Sequence, residues 1–121
     1  VAVFASDTRY NENVIKYGRG ADLLVHEVAM ARPELMKEDY VRRIIDHHTV
    51  PYDCGRVFAQ TRPKLAAYTH IVLVASNTIP PPSLDDIVAE TRKTYDGPFV
   101  VGEDLMSFEI GDTVTVKRLM P

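Results

Sequence analysis

Short apolar runs separated by helix-length amphipathic stretches set the pattern of this chain. Val1 to Ala5 is apolar, with β-branched and aromatic members, and it stops at Ser6-Asp7-Thr8 as a buried strand stops at a polar turn. Asp22 to Glu27 reads the same way, with the polar pair His26-Glu27 at its carboxyl end. Leu65 to Tyr68 is a third strand that delivers Thr69-His70, and Ile71 to Val74 prolongs the apolar run so far that a turn inside it is expected. Phe99 to Val101 is the next strand. Met106, Phe108 and Ile110 alternate before Gly111-Asp112, and Val114 and Val116 alternate after it, which predicts a terminal hairpin over Leu105–Ile110 and Thr113–Leu119.

Helical spacing fills the gaps between these strands. Asn11 to Tyr17 suits a brief helix with Val14 and Ile15 inward, ended by Gly18 and Gly20. Pro33 opens a longer run in which Leu35, Met36, Tyr40, Val41, Ile44 and Ile45 recur on one face, and this run should end near Asp46 or His47. Tyr52 to Gln60 is a further helix, with Pro51 tolerated in its first turn and Pro63 as a stop. After the loop at Pro80-Pro81-Pro82, Ser83 and Asp86 form a capping box for a helix reaching Tyr95, broken by Asp96-Gly97. Strands and helices alternate, and the end is β-rich. No repeat or linker divides residues 1–121, so a single α/β unit is expected.

Composition changes this picture little. The 121 residues could bury roughly two-thirds of the surface of the unfolded chain in one core. No stretch approaches the ~18 apolar residues of a membrane span. A net charge of -3 argues against broad nonspecific attraction to nucleic acid, although RNA stays open as a substrate. Cys54 is the single cysteine; without a disulfide partner it fits a packed small residue and a reducing, cytoplasmic setting. Because Val1-Ala2-Val3 begins inside an apolar strand without an initiator methionine, a fragment is expected.

The candidate chemistry sits at the ends of the runs: Asp7, His26-Glu27, His47-His48 and His70. Carboxyl ends of strands are where ligands bind in open α/β sheets, and carboxylate plus imidazole suits zinc or a similar ion. Each residue also has a plain reading: Asp7 as a turn former, His26-Glu27 as a solvated strand end, His47 and His48 as cations at a helix C-terminus, His70 as a buried histidine bonded to backbone.

Taken in order, Ser6-Asp7-Thr8, His26-Glu27-Val28-Ala29, His48-Thr49, Gly55 and Thr69-His70 resemble the second half of metallo-β-lactamase-fold hydrolases, most of all the ribonuclease Z and arylsulfatase-like branch. The tail segment Gly102-Glu103-Asp104-Leu105-Met106 is similar to the segment that follows the last helix in that family. Ser6 replaces the usual glycine, Val28-Ala29 replaces Ala-Thr, and His48-Thr49 stands where the ribonuclease has His-Ser-Thr.

The resemblance implies half of an αββα sandwich, with a mixed sheet flanked by helices. It also implies two divalent metal ions, zinc first, with manganese or iron as alternatives. Asp7 would bridge them and His70 would complete the second site, while His48 would donate a proton to the leaving group, oriented by Glu27. His47 is the rival donor. The family's His-x-His-x-Asp-His motif has no match here, so a complementary N-terminal half is expected as partner, with a homodimer as a further arrangement. The substrate would be RNA or a small ester. Two other classes compete: a non-catalytic partner-binding or dimerisation module that keeps the half-fold, and a flavodoxin-like module phosphorylated at Asp7.

Overall fold

The computed structural model describes residues 1–118. Its elements run in chain order as β1 (Ala2–Ala5), α1 (Glu12–Gly18), β2 (Leu23–Ala31), a 3-10 turn (Pro33–Lys37), α2 (Asp39–Asp46), α3 (Pro51–Thr61), β3 (Leu65–Val74), α4 (Leu84–Arg92), β4 (Phe99–Val101), β5 (Ser107–Ile110) and β6 (Val114–Lys117). Strands β1 to β4 form one parallel sheet in the order 1-2-3-4, and β5 and β6 form a separate antiparallel hairpin. The two pairing modes expected of a mixed architecture thus occupy different sheets. Leu119, the last residue of the expected hairpin, lies outside the described residues.

Each face of the parallel sheet has its own apolar layer. Leu24 and Val28 of β2 and Ala66 and Tyr68 of β3 pack against Ile15 of α1, Val57 and Phe58 of α3, and Ile87 of α4. Phe58 meets Tyr68 at a tilt and Tyr95 edge-on, with centroids 5.5 Å apart in both pairs, each aromatic pair adding about 0.5–1.5 kcal/mol beyond its buried area. On the opposite face, Leu23, Val25, Leu65 and Ala67 meet Phe108, Val114 and Val116 of the hairpin. The hairpin covers only part of that face. An open cleft of about 680 Å³ lies beside it, floored by Ala2, Phe4, Val25 and Ala67, and Phe4 is 72% exposed there.

Three elements differ from the sequence reading. His26-Glu27 lie in the middle of β2, not at its end, because Val28 to Ala31 continue as strand paired with Ile71 to Val74. Ala29–Val72 and Ala31–Val74 are covered by Leu35, Val41 and Ile45, while Val28–Ile71 and Met30–Leu73 face the layer of α3 and α4, so burial extends both strands. The expected turn inside β3 is a bulge: the register jumps between Glu27↔Thr69 and Val28↔Ile71, leaving His70 without a partner at φ +46°. The Pro33 run is split, since Glu38 is extended at φ -84°, ψ 128° and starts α2 afresh. There the Arg42 guanidinium donates to the Met36 carbonyl at 2.7 Å and pairs with Asp39.

Other expectations match closely. Asn11 caps α1 by accepting from Asn13 N–H at 2.8 Å, and Ser83 with Asp86 forms the reciprocal capping box of α4. Gly102 follows β4 where a Cβ would strike the Tyr68 carbonyl, to which its own N–H donates at 2.9 Å, so only glycine fits.

Candidate metal centre

Strand β1 stops at Ala5, while β2 and β3 run on for several residues. The step so made at the sheet's carboxyl edge gathers three side chains from distant segments. Asp7 comes from the β1–α1 loop, His48 from the α2–α3 loop and His70 from the β3 bulge; one donor atom from each lies within 4.8 Å of the others. Asp7 Oδ1 is 3.4 Å from His70 Nδ1 and 4.0 Å from His48 Nδ1. The two imidazole centroids are 5.8 Å apart.

The backbone gives up stability to hold this arrangement. Asp7 (φ +45°) and His70 (φ +46°) both adopt the left-handed region, which costs a non-glycine residue about 1–2 kcal/mol. Aspartate tolerates that region better than most. For His70 the bulge is what turns the ring out of the sheet, leaving its side chain 52% exposed beside Asp7 at 73%.

Beneath this exposed pair lies a buried one. Glu27 is wholly buried, and its carboxylate is saturated by donors: Oε1 accepts the backbone N–H groups of Thr8 (3.2 Å) and Thr49 (3.0 Å), while Oε2 faces His48 Nδ1 at 3.2 Å. Burial raises the pKa of Glu27, opposed by the nearby His48 and by the donated N–H groups. With Nδ1 committed to Glu27, the Nε2 atom of His48 is the one free to act outward.

The remaining candidates fall elsewhere. His26 is buried, not a solvated strand end: its Nδ1–H donates to the Glu27 carbonyl at 2.7 Å, and its ring packs edge-on to Phe58. Burial lowers its pKa, so the ring is neutral, and Nε2 has no hydrogen-bond partner among the described residues. Cys54 is a packed small residue; its thiol donates to the Glu27 carbonyl at 3.4 Å, and burial pushes its pKa well up, away from any nucleophilic role. His47 is exposed as the residue that closes α2, outside the group of Asp7, His48 and His70. Thr8 and Thr49 enter the sequence reading only as motif neighbours of Asp7 and His48, with no role of their own, yet both hold Glu27. The signal was present in the chain: a threonine follows each of Asp7 and His48.

The donor set suits a divalent ion of the zinc type. Asp7 and His70 offer a carboxylate and an imidazole side by side, with no thiolate among the grouped residues, and His48 stands next to them with its Nδ1 turned to Glu27. A second ion would need further ligands from outside these residues.

Comparison with known proteins bears on the fold and the family the chain resembles. The chain is 35% identical over 104 residues to ribonuclease Z of Haloarcula marismortui, a match covering 86% of this chain and 30% of that protein. It is 27% identical over 111 residues to ribonuclease Z of Thermococcus onnurineus, covering 90% of this chain and 31% of that protein. The chain thus spans about a third of the length of the curated relatives it matches. Among solved structures, the metallo-β-lactamase fold protein YhfI from Bacillus subtilis superposes with a TM-score of 0.64 at 16% identity, covering 96% of this chain and 39% of that one. No family model matches.

Proposed function

Since this chain is a ribonuclease Z-like stretch of a metallo-β-lactamase fold, a fold of metal-dependent hydrolases, we propose that it supplies half of a dinuclear active site that cleaves a phosphodiester, with RNA as the substrate class. The observation that carries this reading is the side-by-side placement of two pairs. Asp7 and His70 stand 3.4 Å apart at the surface, and Glu27 and His48 stand 3.2 Å apart just beneath.

The two pairs divide the work. Asp7 and His70 would hold metal, Asp7 through its carboxylate and His70 through one imidazole nitrogen. Bound divalent ions supply an activated water and neutralise charge developing at phosphorus. Glu27 accepts from His48 Nδ1–H and so orients the ring; with a second proton on Nε2, the ring passes that proton to the departing oxygen and is left as the neutral Nδ1–H form. Proton transfer by a positioned imidazole is worth about 10²–10⁴-fold in rate. The α2–α3 loop brings His48 to the edge of the metal pair without making it share their exposure, its side chain being 15% exposed.

The complementary part of the fold completes the centre. The face left exposed at Ala2 and Phe4, beside the hairpin, is where a second sheet would close the sandwich, and ligands beyond Asp7 and His70 would arrive with it. The test is to join the chain to its complementary half, measure metal content by plasma mass spectrometry, and assay RNA cleavage beside aryl ester and sulfate ester substrates. About two ions per assembly and loss of both metal and RNA cleavage in Asp7→Ala are expected. A metal-free assembly whose activity survives Asp7→Ala would end the proposal.

A further inference from the structure

Thr49 is 1% exposed and spends three polar groups on two other segments, strand β2 and the β1–α1 loop. Its N–H donates to Glu27 Oε1 at 3.0 Å, its hydroxyl donates to the Thr8 carbonyl at 2.5 Å, and its carbonyl accepts from Ala29 N–H at 3.0 Å. The Thr8 N–H completes a ring by donating to the same Glu27 oxygen at 3.2 Å. Thr8 therefore receives on its carbonyl and gives from its N–H, and both bonds lead back to Thr49 and Glu27. The residue before Thr8 is Asp7, and the residue before Thr49 is His48.

We infer that Thr49 is a positioning residue whose hydroxyl clamps the loop carrying Asp7 to the loop carrying His48, and so sets the spacing between the metal-holding and proton-transferring parts of the site. The inference rests on the reading of Asp7 and His48 given above. Among the described residues this hydroxyl makes the one direct hydrogen bond between the two loops, their other link running through the Glu27 carboxylate; Thr8 and Thr49 are 41 residues apart, and β1 pairs with β2 only as far as Ala5–His26. Beyond that point the sheet offers the Asp7 loop no ladder, and the Thr49 hydroxyl replaces it. Loss of the hydroxyl also leaves the part-buried Thr8 carbonyl without its donor.

The metal-loaded assembly carrying Thr49→Val, which keeps shape and removes the hydroxyl, is the test. We expect kcat on an RNA oligonucleotide to fall about 10- to 100-fold, as for loss of a group that orients a ligand. KM should change little, amide hydrogen exchange at Thr8 should quicken, and Thr49→Ser should restore both. A merely structural role would lower stability without that split, and Thr49→Ser failing to restore kcat overturns the inference. His48→Ala is the reference: if it abolishes turnover while Thr49→Val turns over as wild type, the clamp is wrong and the proton-transfer reading stands. If His48→Ala is fully active, that reading fails, and unchanged exchange at Thr8 in Thr49→Val then overturns the clamp independently.

Discussion

Glu27 Oε2 and His48 Nδ1 lie 3.2 Å apart across 21 residues of sequence, one side chain wholly buried and the other at the rim of the exposed metal pair. A carboxylate so enclosed is tolerable because every oxygen has a donor. It connects the inside of β2 to the chemistry at its edge.

Glu27→Gln should remove the charge while keeping the shape. In the assembled protein we expect kcat to fall about 100-fold or more, the scale of a lost acid–base contribution, in steady-state assays with RNA. Wild-type activity in this variant would separate Glu27 from catalysis.

The same variant gives a pH dependence of stability. Burial raises the folded-state pKa of Glu27 above its ordinary 4.5, so its favourable contribution is complete below that value and is lost as pH rises through the folded pKa. Denaturant unfolding at a series of pH values should therefore show Glu27→Gln gaining on wild type as pH rises above 4.5. A difference that is flat with pH, or that runs the other way, contradicts the assignment.

His70 offers a backbone test. At φ +46° a glycine escapes the left-handed penalty that alanine pays, so His70→Gly should be more stable than His70→Ala by about 1 kcal/mol. Both should lose metal affinity by calorimetric titration. Equal unfolding midpoints for the two variants would show that the bulge is not held in this conformation.

Gly55 sits where α3 crosses α4. A Cβ there would collide with the Thr94 hydroxyl and lie 2.7 Å from the Thr91 carbonyl. Gly55→Ala should destabilise by about 1–3 kcal/mol in thermal unfolding. Adding Thr94→Ala should recover only part of the loss, since the Thr91 carbonyl is backbone and cannot move aside.

Ser83 tests the cap of α4. Ser83→Ala should cost about 1 kcal/mol. Hydrogen bonds from Ser83 hold the Asp86 carboxyl below its ordinary 3.8, so the cap's support is present above that value and fades as pH falls through the lowered pKa. Acid unfolding of Ser83→Ala should begin from a lower stability with much of the slope kept, since the Ser83 N–H that holds Asp86 remains in alanine, whereas Asp86→Asn should flatten it.

Much of the architecture was legible along the chain. Apolar runs marked β1, β2, β3 and β4, Ser83 and Asp86 marked a helix start, and Gly111-Asp112 marked the hairpin, because strand burial, capping and turn chemistry are decided by neighbours within a few residues. The ordered set Asp7, Glu27, His48 and His70 pointed to hydrolase chemistry through its resemblance to the motifs of metallo-β-lactamase-fold hydrolases, each residue alone having a plain reading.

Tertiary structure decided what these residues do to one another. His26-Glu27 look like a strand end because both are polar, and only the pairing of Val28–Ala31 with Ile71–Val74 shows them inside the core. His70 reaches Asp7 because one residue too many on β3 has to leave the ladder, an effect of register between strands that no single run contains. Thr8 and Thr49 are ordinary threonines until the end of β1 leaves the chain above it without a ladder to bond to. Burial and register are properties of pairs of segments, so they appear only once the segments meet.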